Sequence, residues 1–357
     1  MDHHLRCEVL TRTIGEEDVD AFLVTRLPNV RYLTGFTGSN GQALFTSSGA
    51  VFFTDGRYTE QSRHEVPDIE RVTYLGVFAE PLAAACDRLG VRRLGFEGHD
   101  VTVAARDELT QRVDGVELVP LGRAVERQRW VKDDDELSLL REAQACTDRA
   151  FEDILDTLAV GMSERQVAVE LEHAMRRAGA DGVSFESIVA FGEQAAEPHH
   201  QPSHRLLDEG DVIKLDFGAL YGGYHADMTR TISFGQPAPE LQKIHDVVRE
   251  AQQAGIDAIR AGVTGGEVDA AARRVVEDAG YGPRFGHGLG HGVGLEIHEG
   301  PNFAPRGADV LPAGAVMTVE PGIYVPGLGG VRIEDMVEVQ DDGCRVIGTS
   351  IRELVEL

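Results

Sequence analysis

The sequence lacks the features that mark membrane-spanning, secreted and nucleic-acid-binding proteins. No apolar run approaches the roughly 20 residues that a membrane-spanning helix needs, and the first residues have no apolar core of a signal peptide. Basic residues are few, since 34 lysines and arginines stand against 60 aspartates and glutamates, for a formal net charge of −26. Because binding to phosphate groups needs a basic surface, this charge argues against a nucleic-acid partner.

Cysteine is also scarce. The four cysteines are far apart and form no CxxC pair: Cys7, Cys86, Cys146 and Cys344. This spacing argues against a zinc finger and against a disulfide framework. Together with the missing signal peptide, it predicts a protein of the reducing cytoplasm, without contact to a membrane. The 357 residues leave room for two domains that each have a core of their own.

The first 125 residues have the pattern of an α/β domain. Short apolar segments at 21–24 and 51–54 predict strands, and residues 81–89 predict a helix that ends at Gly90. Two polar, glycine-rich segments at 29–41 and 54–58 are predicted, from composition alone, to be loops.

From residue 126 onward, helix pairs alternate with strand-rich segments. The acidic run from Asp133 is typical of a helix N-terminus. Ser163 with Gln166, and Thr264 with Glu267, have the spacing of a capping box and predict two further helix starts. The order of elements occurs twice, which indicates two αα-ββ halves around a shared site. The predicted helices cover about 133–160, 163–179, 239–261 and 264–280.

Residues 212–227 read as two strands joined by a tight turn. If the turn is Tyr221–Gly222, antiparallel pairing places Asp216 directly opposite Asp227, with Cβ atoms about 4.5–5.5 Å apart. Two carboxylates at that distance repel each other unless a proton or a cation lies between them. The pair could bridge the ions of a two-metal hydrolytic centre, or be two solvated residues on an exposed hairpin.

The segment 285–299 places three histidines, His287, His291 and His298, among five glycines. Glycine removes side chains, so that backbone and imidazole rings can crowd around a ligand or an ion. Histidine is the commonest metal ligand and the usual acid or base near neutral pH. An isolated histidine would favour a structural role, but this cluster favours a site.

Two more carboxylates follow on apolar strands. Glu320 lies near the end of one strand, and Arg332 and Glu334 share a face of a strand predicted over 331–339. A carboxylate on a buried strand is costly without a cation, which a salt bridge or a metal ion could supply. A donor set of mostly oxygen atoms with one imidazole is suited to Mn²⁺ and similar ions, rather than to zinc in a site built from thiolates.

These segments together resemble the pita-bread metallopeptidases, and among them the Xaa-Pro peptidases, prolidase and aminopeptidase P. The resemblance covers nearly the whole chain, from the two glycine-rich segments near the N-terminus to Val331-Arg-Ile-Glu-Asp near the C-terminus. It implies an α/β (α+β) protein with a creatinase-like domain over 1–125 and a pita-bread catalytic domain over 126–357.

The resemblance also implies site residues. Two divalent metal ions per chain, Mn²⁺ with Co²⁺ or Zn²⁺ as alternatives, would be held by Asp216, Asp227, His291, Glu320 and Glu334. His199 is similar to the histidine that lines the proline pocket, although residues 194–197 depart from the family pattern and His200 is an alternative. His287 and His298 resemble the histidines that hold the substrate and the tetrahedral intermediate, and Arg332 resembles an arginine near the substrate carboxylate or a bridging ligand.

The implied reaction is hydrolysis of the Xaa-Pro bond in small proline-containing peptides. Glu320 is expected to pass the proton of the attacking water to the leaving nitrogen, and His298 to donate to the oxyanion. Dipeptides are the favoured substrate, and the alternative is an aminopeptidase P that releases the first residue of longer peptides. A catalytically inactive binding module is the alternative of another class, disfavoured because the ligand set is complete. The family also implies a homodimer, in which the N-terminal domain of one subunit often helps to close the active site of the other. The glycine-rich segment 36–41 is the candidate for that lid, since loops on a rigid scaffold commonly carry binding residues.

Overall fold

One six-stranded sheet forms the centre of the N-terminal unit, Met1–Arg129, in a computed structural model that describes all 357 residues. Its strands are β1 (Ala21–Val24), β2 (Gln42–Thr46), β3 (Gly49–Asp55), β4 (Glu70–Tyr74), β5 (Arg93–Glu97) and β6 (Glu117–Leu121). They lie in the order β4-β3-β2-β1-β5-β6, antiparallel at β1-β2 and β2-β3 and parallel at the other pairs. The predicted strands at 21–24 and 51–54 are β1 and the centre of β3.

Six helices accompany this sheet: α1 (His3–Glu16), α2 (Leu27–Thr34), α3 (Thr59–Glu65), α4 (Ala79–Leu89), α5 (Val103–Arg112) and α6 (Ala124–Arg129). The core of the unit joins α4 to β1, β3 and β5 through buried side chains such as Leu82, Leu23, Phe53 and Phe96. Helix α4 ends, as predicted, at Gly90, whose positive φ of 69° is the left-handed conformation that glycine favours. The mixed sheet with its helices confirms the predicted α/β class.

The loop predicted over 29–41 is wrong in its first half, which belongs to α2. This helix has a proline at its first turn and ends at Gly35, with φ of 79°. Its N-terminus is capped from a distance, because the Glu97 carboxylate accepts hydrogen bonds from the backbone N–H groups of Thr25 and Arg26, at 2.7 and 2.8 Å. A cap that lies 71 residues away leaves no signal in the local sequence.

Phe36, in the segment proposed as a lid, is buried within this unit. Its ring lies 4.8 Å from that of Phe52 and 5.6 Å from that of Tyr58, measured between centroids. Among its neighbours, Thr37 and Ser39 are exposed. Any contact that this segment makes with another subunit therefore involves its polar residues rather than its aromatic ring.

The C-terminal unit, Trp130–Leu357, carries four long helices and thirteen strands. The helices are α7 (Asp134–Leu155), α8 (Glu164–Arg177), α9 (Pro239–Ala258) and α10 (Gly265–Asp278). The strands are β7 (Gly182–Val183), β8 (Ile188–Phe191), β9 (Val212–Phe217), β10 (Ala219–Tyr221), β11 (Tyr224–His225), β12 (Met228–Ser233), β13 (Gly290–Gly292), β14 (Glu299–Phe303), β15 (Val316–Val319), β16 (Gly322–Val325), β17 (Gly329–Arg332), β18 (Asp335–Gln340) and β19 (Gly343–Ile347). No helix of the chain combines the length and the apolar character needed to cross a membrane.

The helix pairs α7-α8 and α9-α10 each pack on a sheet of their own. One core joins α7 and α8 to the sheet β12-β9-β8, and a second joins α9 and α10 to the sheet β14-β13-β15-β18-β19. Both predicted capping boxes are present, since Ser163 with Gln166 and Thr264 with Glu267 exchange side-chain and backbone hydrogen bonds. Helices α7 and α9 end a few residues earlier than predicted. The two halves repeat the same arrangement, as the sequence indicated.

The pairing predicted for the central hairpin is wrong by two residues. The turn is Gly222–Gly223, with φ of 55° and 82°, so that Tyr221 lies opposite Tyr224, and Asp216 faces Thr229 instead of Asp227. A two-residue hairpin turn of this kind needs a positive φ at both positions, which two glycines adopt at low cost. Because a shift by two residues preserves the face on which a side chain lies, both aspartates still point to the same side.

The strand predicted over 331–339 is interrupted. Strand β17 pairs with β16 as far as Arg332 opposite Gly322, and β18 pairs with β15 from Asp335 opposite Val319. Glu320 and Glu334 therefore occupy the two places where the chain passes from one sheet to the other. Released from regular pairing, both carboxylates turn into the same cavity.

Candidate active site

A cavity of about 730 Å³ lies in the C-terminal unit, among the strand ends just described. Its walls include all of the residues predicted as metal ligands or substrate contacts: His199, Asp216, Asp227, His287, His291, His298, Glu320, Arg332 and Glu334. These residues come from separate parts of the chain, and the structure brings them together in one place. His200, the alternative to His199, is not part of this wall.

Three of the predicted ligands form a compact cluster. The ligand atoms of Asp227, His291 and Glu334 all lie within 4.8 Å of one another. His291 Nε2 is 3.6 Å from Asp227 Oδ2 and 3.4 Å from Glu320 Oε1, so that Glu320 extends the cluster. The fifth residue, Asp216, is buried at its edge and forms a salt bridge with Arg332.

The carboxylates in this cluster repel one another. Burial raises the pKa of Glu320 to about 7, and the charge of Asp216 adds to the increase. Burial also raises the pKa of Asp227 and of Glu334 well above the ordinary range, with further contributions from the neighbouring carboxylates. Such a set of groups stays ionised at neutral pH only if cations lie among them.

Two details show that these residues fit a divalent metal ion. Glu334 Oε1 is buried and has no hydrogen-bond partner, whereas Oε2 accepts a bond of 2.7 Å from the Thr229 hydroxyl. His291 Nδ1 donates to the Gly292 carbonyl at 3.0 Å, which leaves the lone pair of Nε2 facing two carboxylates. Burial lowers the pKa of His291, so this nitrogen is unprotonated at neutral pH. A cation placed between the His291 Nε2 lone pair and the neighbouring carboxylate oxygens would give each of these atoms a partner.

Arg332 is buried, and most of its donors are used within the protein. Its Nε donates to Thr229 Oγ1 at 3.0 Å, and its Nη1 donates to the Tyr324 hydroxyl at 2.8 Å and to the Pro198 carbonyl at 3.2 Å. Its Nη2 donates to Asp216. Four of the five guanidinium N–H groups thus hold Asp216 and its surroundings in place.

His287 reaches the cavity with both ring nitrogens bonded. Nδ1 donates to the Gly288 carbonyl at 2.8 Å, so Nε2 accepts from the Tyr324 hydroxyl at 3.0 Å. Burial lowers the pKa of His287 to about 4, and the nearby Arg332 charge lowers it further. The ring is therefore neutral, and in this geometry it orients Tyr324.

His199 and His298 differ from His287 because their rings are exposed and make no hydrogen bond within the chain. The His298 ring lies 4.5 Å from the His291 ring, edge to face. His200 has the opposite environment, because it is buried and its two ring nitrogens bind Glu164 and Glu197 at 2.9 and 2.8 Å. Of the two neighbouring histidines, only His199 is available to a bound molecule.

Sequence reasoning missed two site residues. Tyr324 joins Arg332 to His287, and Thr229 accepts from Arg332 while donating to Glu334. Thr229 could have been found with the correct hairpin register, since it lies directly opposite Asp216. Tyr324 had no such signal, because its hydroxyl bonds to Arg332 on β17 and to His287, which lies 37 residues earlier in the chain.

Comparisons with known proteins find similarity along nearly the whole chain. Residues 138–341 match metallopeptidase family M24, and residues 6–131 match the creatinase/prolidase N-terminal domain. An uncharacterized peptidase of Bacillus subtilis, YqhT, is 42% identical over 99% of this chain and 100% of its own. A solved structure of a Xaa-Pro dipeptidase from Bacillus anthracis covers 100% of both chains with a TM-score of 0.97 and 42% identity. An X-Pro aminopeptidase from Thermotoga maritima is 37% identical, with a TM-score of 0.92 over 98% of this chain and 99% of its own.

Proposed function

Because this chain belongs to metallopeptidase family M24, we propose that it is a metal-dependent peptidase that hydrolyses the Xaa-Pro bond, with Xaa-Pro dipeptides as its main substrates. The observation that carries the proposal is the orphaned Oε1 of Glu334 beside the lone pair of His291 in a cavity walled by carboxylates. The similarity to a Xaa-Pro dipeptidase over the full chain length supports the dipeptide substrate.

The metal centre that we propose contains two divalent ions, Mn²⁺ by preference, held by the five ligands named above. When bound, these ions would lower the pKa of a water and polarise the scissile carbonyl. Glu320 would accept the proton of the water on its carboxylate and return it to the leaving proline nitrogen. His298 would donate an N–H to the oxyanion, and His199 would contact the proline ring.

The residues around the ligands hold them in position. Arg332 fixes Asp216, and Thr229 fixes one oxygen of Glu334, which leaves the other oxygen free for an ion. His287 and Tyr324 close this network. Since a ligand oxygen that is held in place loses little freedom when the ion binds, we expect these contacts to contribute to metal affinity.

The proposal is tested by supplying Mn²⁺ to the purified protein and measuring hydrolysis of Ala-Pro, of the tripeptide Ala-Pro-Ala and of the proline-free control Ala-Ala. We expect Ala-Pro to be the best substrate and Ala-Ala to be inert. Cleavage of the tripeptide alone would instead establish an aminopeptidase, the alternative supported by the Thermotoga maritima structure. If none of the three peptides is hydrolysed, the protein is instead a catalytically inactive binding module.

Replacing Arg332 by lysine keeps the charge but removes the planar set of donors. Since four of its N–H groups hold protein atoms, we expect turnover of Ala-Pro and of Ala-Pro-Ala to fall alike, by about 10- to 100-fold, together with the metal content. Kinetics on both peptides and elemental analysis check this. A loss confined to the dipeptide would show that Arg332 binds the free carboxylate of the substrate, one of the two roles that the family resemblance implies.

We further propose a homodimer and a cytoplasmic location. The dimer rests on the resemblance of the whole chain to the Xaa-Pro peptidases, in which a partner subunit helps to close the active site. Sedimentation of the purified protein at several concentrations tests it, and a fully active monomer would contradict it. The cytoplasmic location rests on the four scattered, unbridged cysteines.

A further inference from the structure

Lys214 is the most deeply buried basic side chain next to the active site. It lies on β9 with no exposed surface, two residues before Asp216 and therefore on the same side of the strand. A buried lysine is costly for a fold, so its contacts call for an explanation.

The Lys214 ammonium group binds three backbone carbonyls of one short segment. Its Nζ donates to the carbonyl oxygens of Ala195, at 3.2 Å, and of Pro198, at 3.3 Å, and to that of Glu197. An ammonium has three N–H donors and no acceptor, so the three carbonyls match it completely. The Pro198 carbonyl also accepts from Arg332 Nη1 at 3.2 Å, so that two buried cations hold this segment. Buried backbone carbonyls need such partners.

The segment that Lys214 holds leads directly to His199. Gly330 on β17 allows this segment to pack closely against that strand, because a Cβ atom at Gly330 would lie 2.2 Å from the Ala195 carbonyl oxygen. On the far side of His199, the imidazole of His200 is bound between Glu164 and Glu197. The backbone is thus anchored on both sides of His199, while the His199 ring itself projects without a partner into the cavity.

We propose that Lys214 is a positioning residue for substrate binding, which ties the segment 195–199 to the strand that carries Asp216 and so holds His199 at a set place relative to the metal ligands. The inference rests on the proposed function, because His199 acts in it as a substrate contact. Lys214 itself is not part of the cavity wall. Its effect is therefore expected in the Michaelis constant more than in the turnover number.

The first experiment compares Lys214→Met with Lys243→Met, which removes the same charge from an exposed position on α9. With Mn²⁺ and Ala-Pro below the melting temperature of each variant, we expect KM to rise about tenfold or more in Lys214→Met, since bonds to a charged donor are lost. The turnover number and the metal content should change little, and Lys243→Met should behave as wild type. An unchanged KM in Lys214→Met, or a loss of metal that explains the whole defect, would overturn the proposal.

A double-mutant cycle with His199→Ala separates positioning from a general loss of structure. If Lys214 acts through His199, the substitution Lys214→Met should add little to the KM of His199→Ala. Fully multiplicative effects would overturn the inference. Should Lys214→Met fail to fold, Lys214→Gln, which keeps two donors, takes its place in the cycle.

Amide hydrogen exchange provides a readout that does not depend on activity. In Lys214→Met, but not in Lys243→Met, the amides of 195–203 should exchange faster, because the segment loses its anchor. Unchanged exchange in this segment would contradict the proposal. Failure of the proposed function is recognised separately, since wild-type protein would then show no hydrolysis of Ala-Pro under the same conditions.

Discussion

Chelation of the bound metal is expected to reduce hydrolysis of Xaa-Pro peptides to background, and Mn²⁺ or Co²⁺ is expected to restore it. Asp216, Asp227, Glu320 and Glu334 converge on one cavity, and this arrangement can be ionised and ordered only around cations. Activity should be measured after dialysis against a chelator, with metal content determined on the same samples. A chelator already saturated with Ca²⁺ is the control. Full turnover by protein that elemental analysis shows to be metal-free would contradict the assignment.

The same treatment should make stability depend on pH in a particular direction. Glu320 has a pKa of about 7 in the folded, metal-free protein, against an ordinary value of 4.5, and the pKa values of Asp227 and Glu334 are raised as well. Because the folded state binds these protons more tightly than the unfolded state, the free energy of unfolding should fall as pH rises from about 4.5 through about 7. Ions replace the protons in the loaded protein, so its urea denaturation should lack this loss. Equal pH dependence of both forms would count against the metal site.

Replacing Glu320 by glutamine should lower the turnover number by about 10²- to 10⁴-fold, the range that general acid–base groups supply. The amide keeps the shape of the side chain but cannot accept the proton of a water or return it to the proline nitrogen. It also removes one ligand charge, so metal content must be measured together with kinetics on Ala-Pro. The matched control is Glu250→Gln, on an exposed position of α9, which should retain wild-type kinetics.

The result for Glu320→Gln separates two roles. A variant that retains its metal but loses turnover assigns Glu320 to proton transfer, whereas loss of an ion in parallel with turnover assigns it mainly to ligation. Near wild-type turnover with a full metal complement would exclude both roles. Thr318 gives a milder comparison, because its hydroxyl donates to Glu320 Oε1 at 3.3 Å and accepts from the His291 backbone N–H at 3.0 Å. Thr318→Ala removes these two contacts and leaves the carboxylate in place.

The central hairpin shows where reading the sequence succeeded and where it failed. Two strands with a glycine turn were predicted correctly, since β propensity and glycine are local signals. The register was wrong because Tyr221–Gly222 and Gly222–Gly223 are both plausible turns by sequence, and only the positive φ at both glycines distinguishes them. The prediction that both aspartates lie on the same face of the sheet was still correct, because the predicted partner of Asp216 was wrong by two residues, an even number.

Prediction also failed for the segment 29–41. Glycines in its second half suggested a loop, whereas its first half is helical, with an N-terminus capped by the distant Glu97. The capping boxes of α8 and α10, by comparison, were predicted correctly because both partners lie within four residues. The difference between these cases is the distance along the chain between the groups that interact.

The sequence by itself determined the four long helices of the C-terminal unit, the two repeated halves and the residue types of a metal site, because helix caps, strand periodicity and glycine-flanked histidines are patterns of neighbouring residues. Only the tertiary structure decided how those residues are held. Arg332 reaches Asp216 across 116 positions and Thr229 reaches Glu334 across 105, and the Lys214 ammonium finds its carbonyls only when the segment 195–198 packs on β9. Such contacts follow from burial, which forces each polar group to find a partner wherever the fold places one.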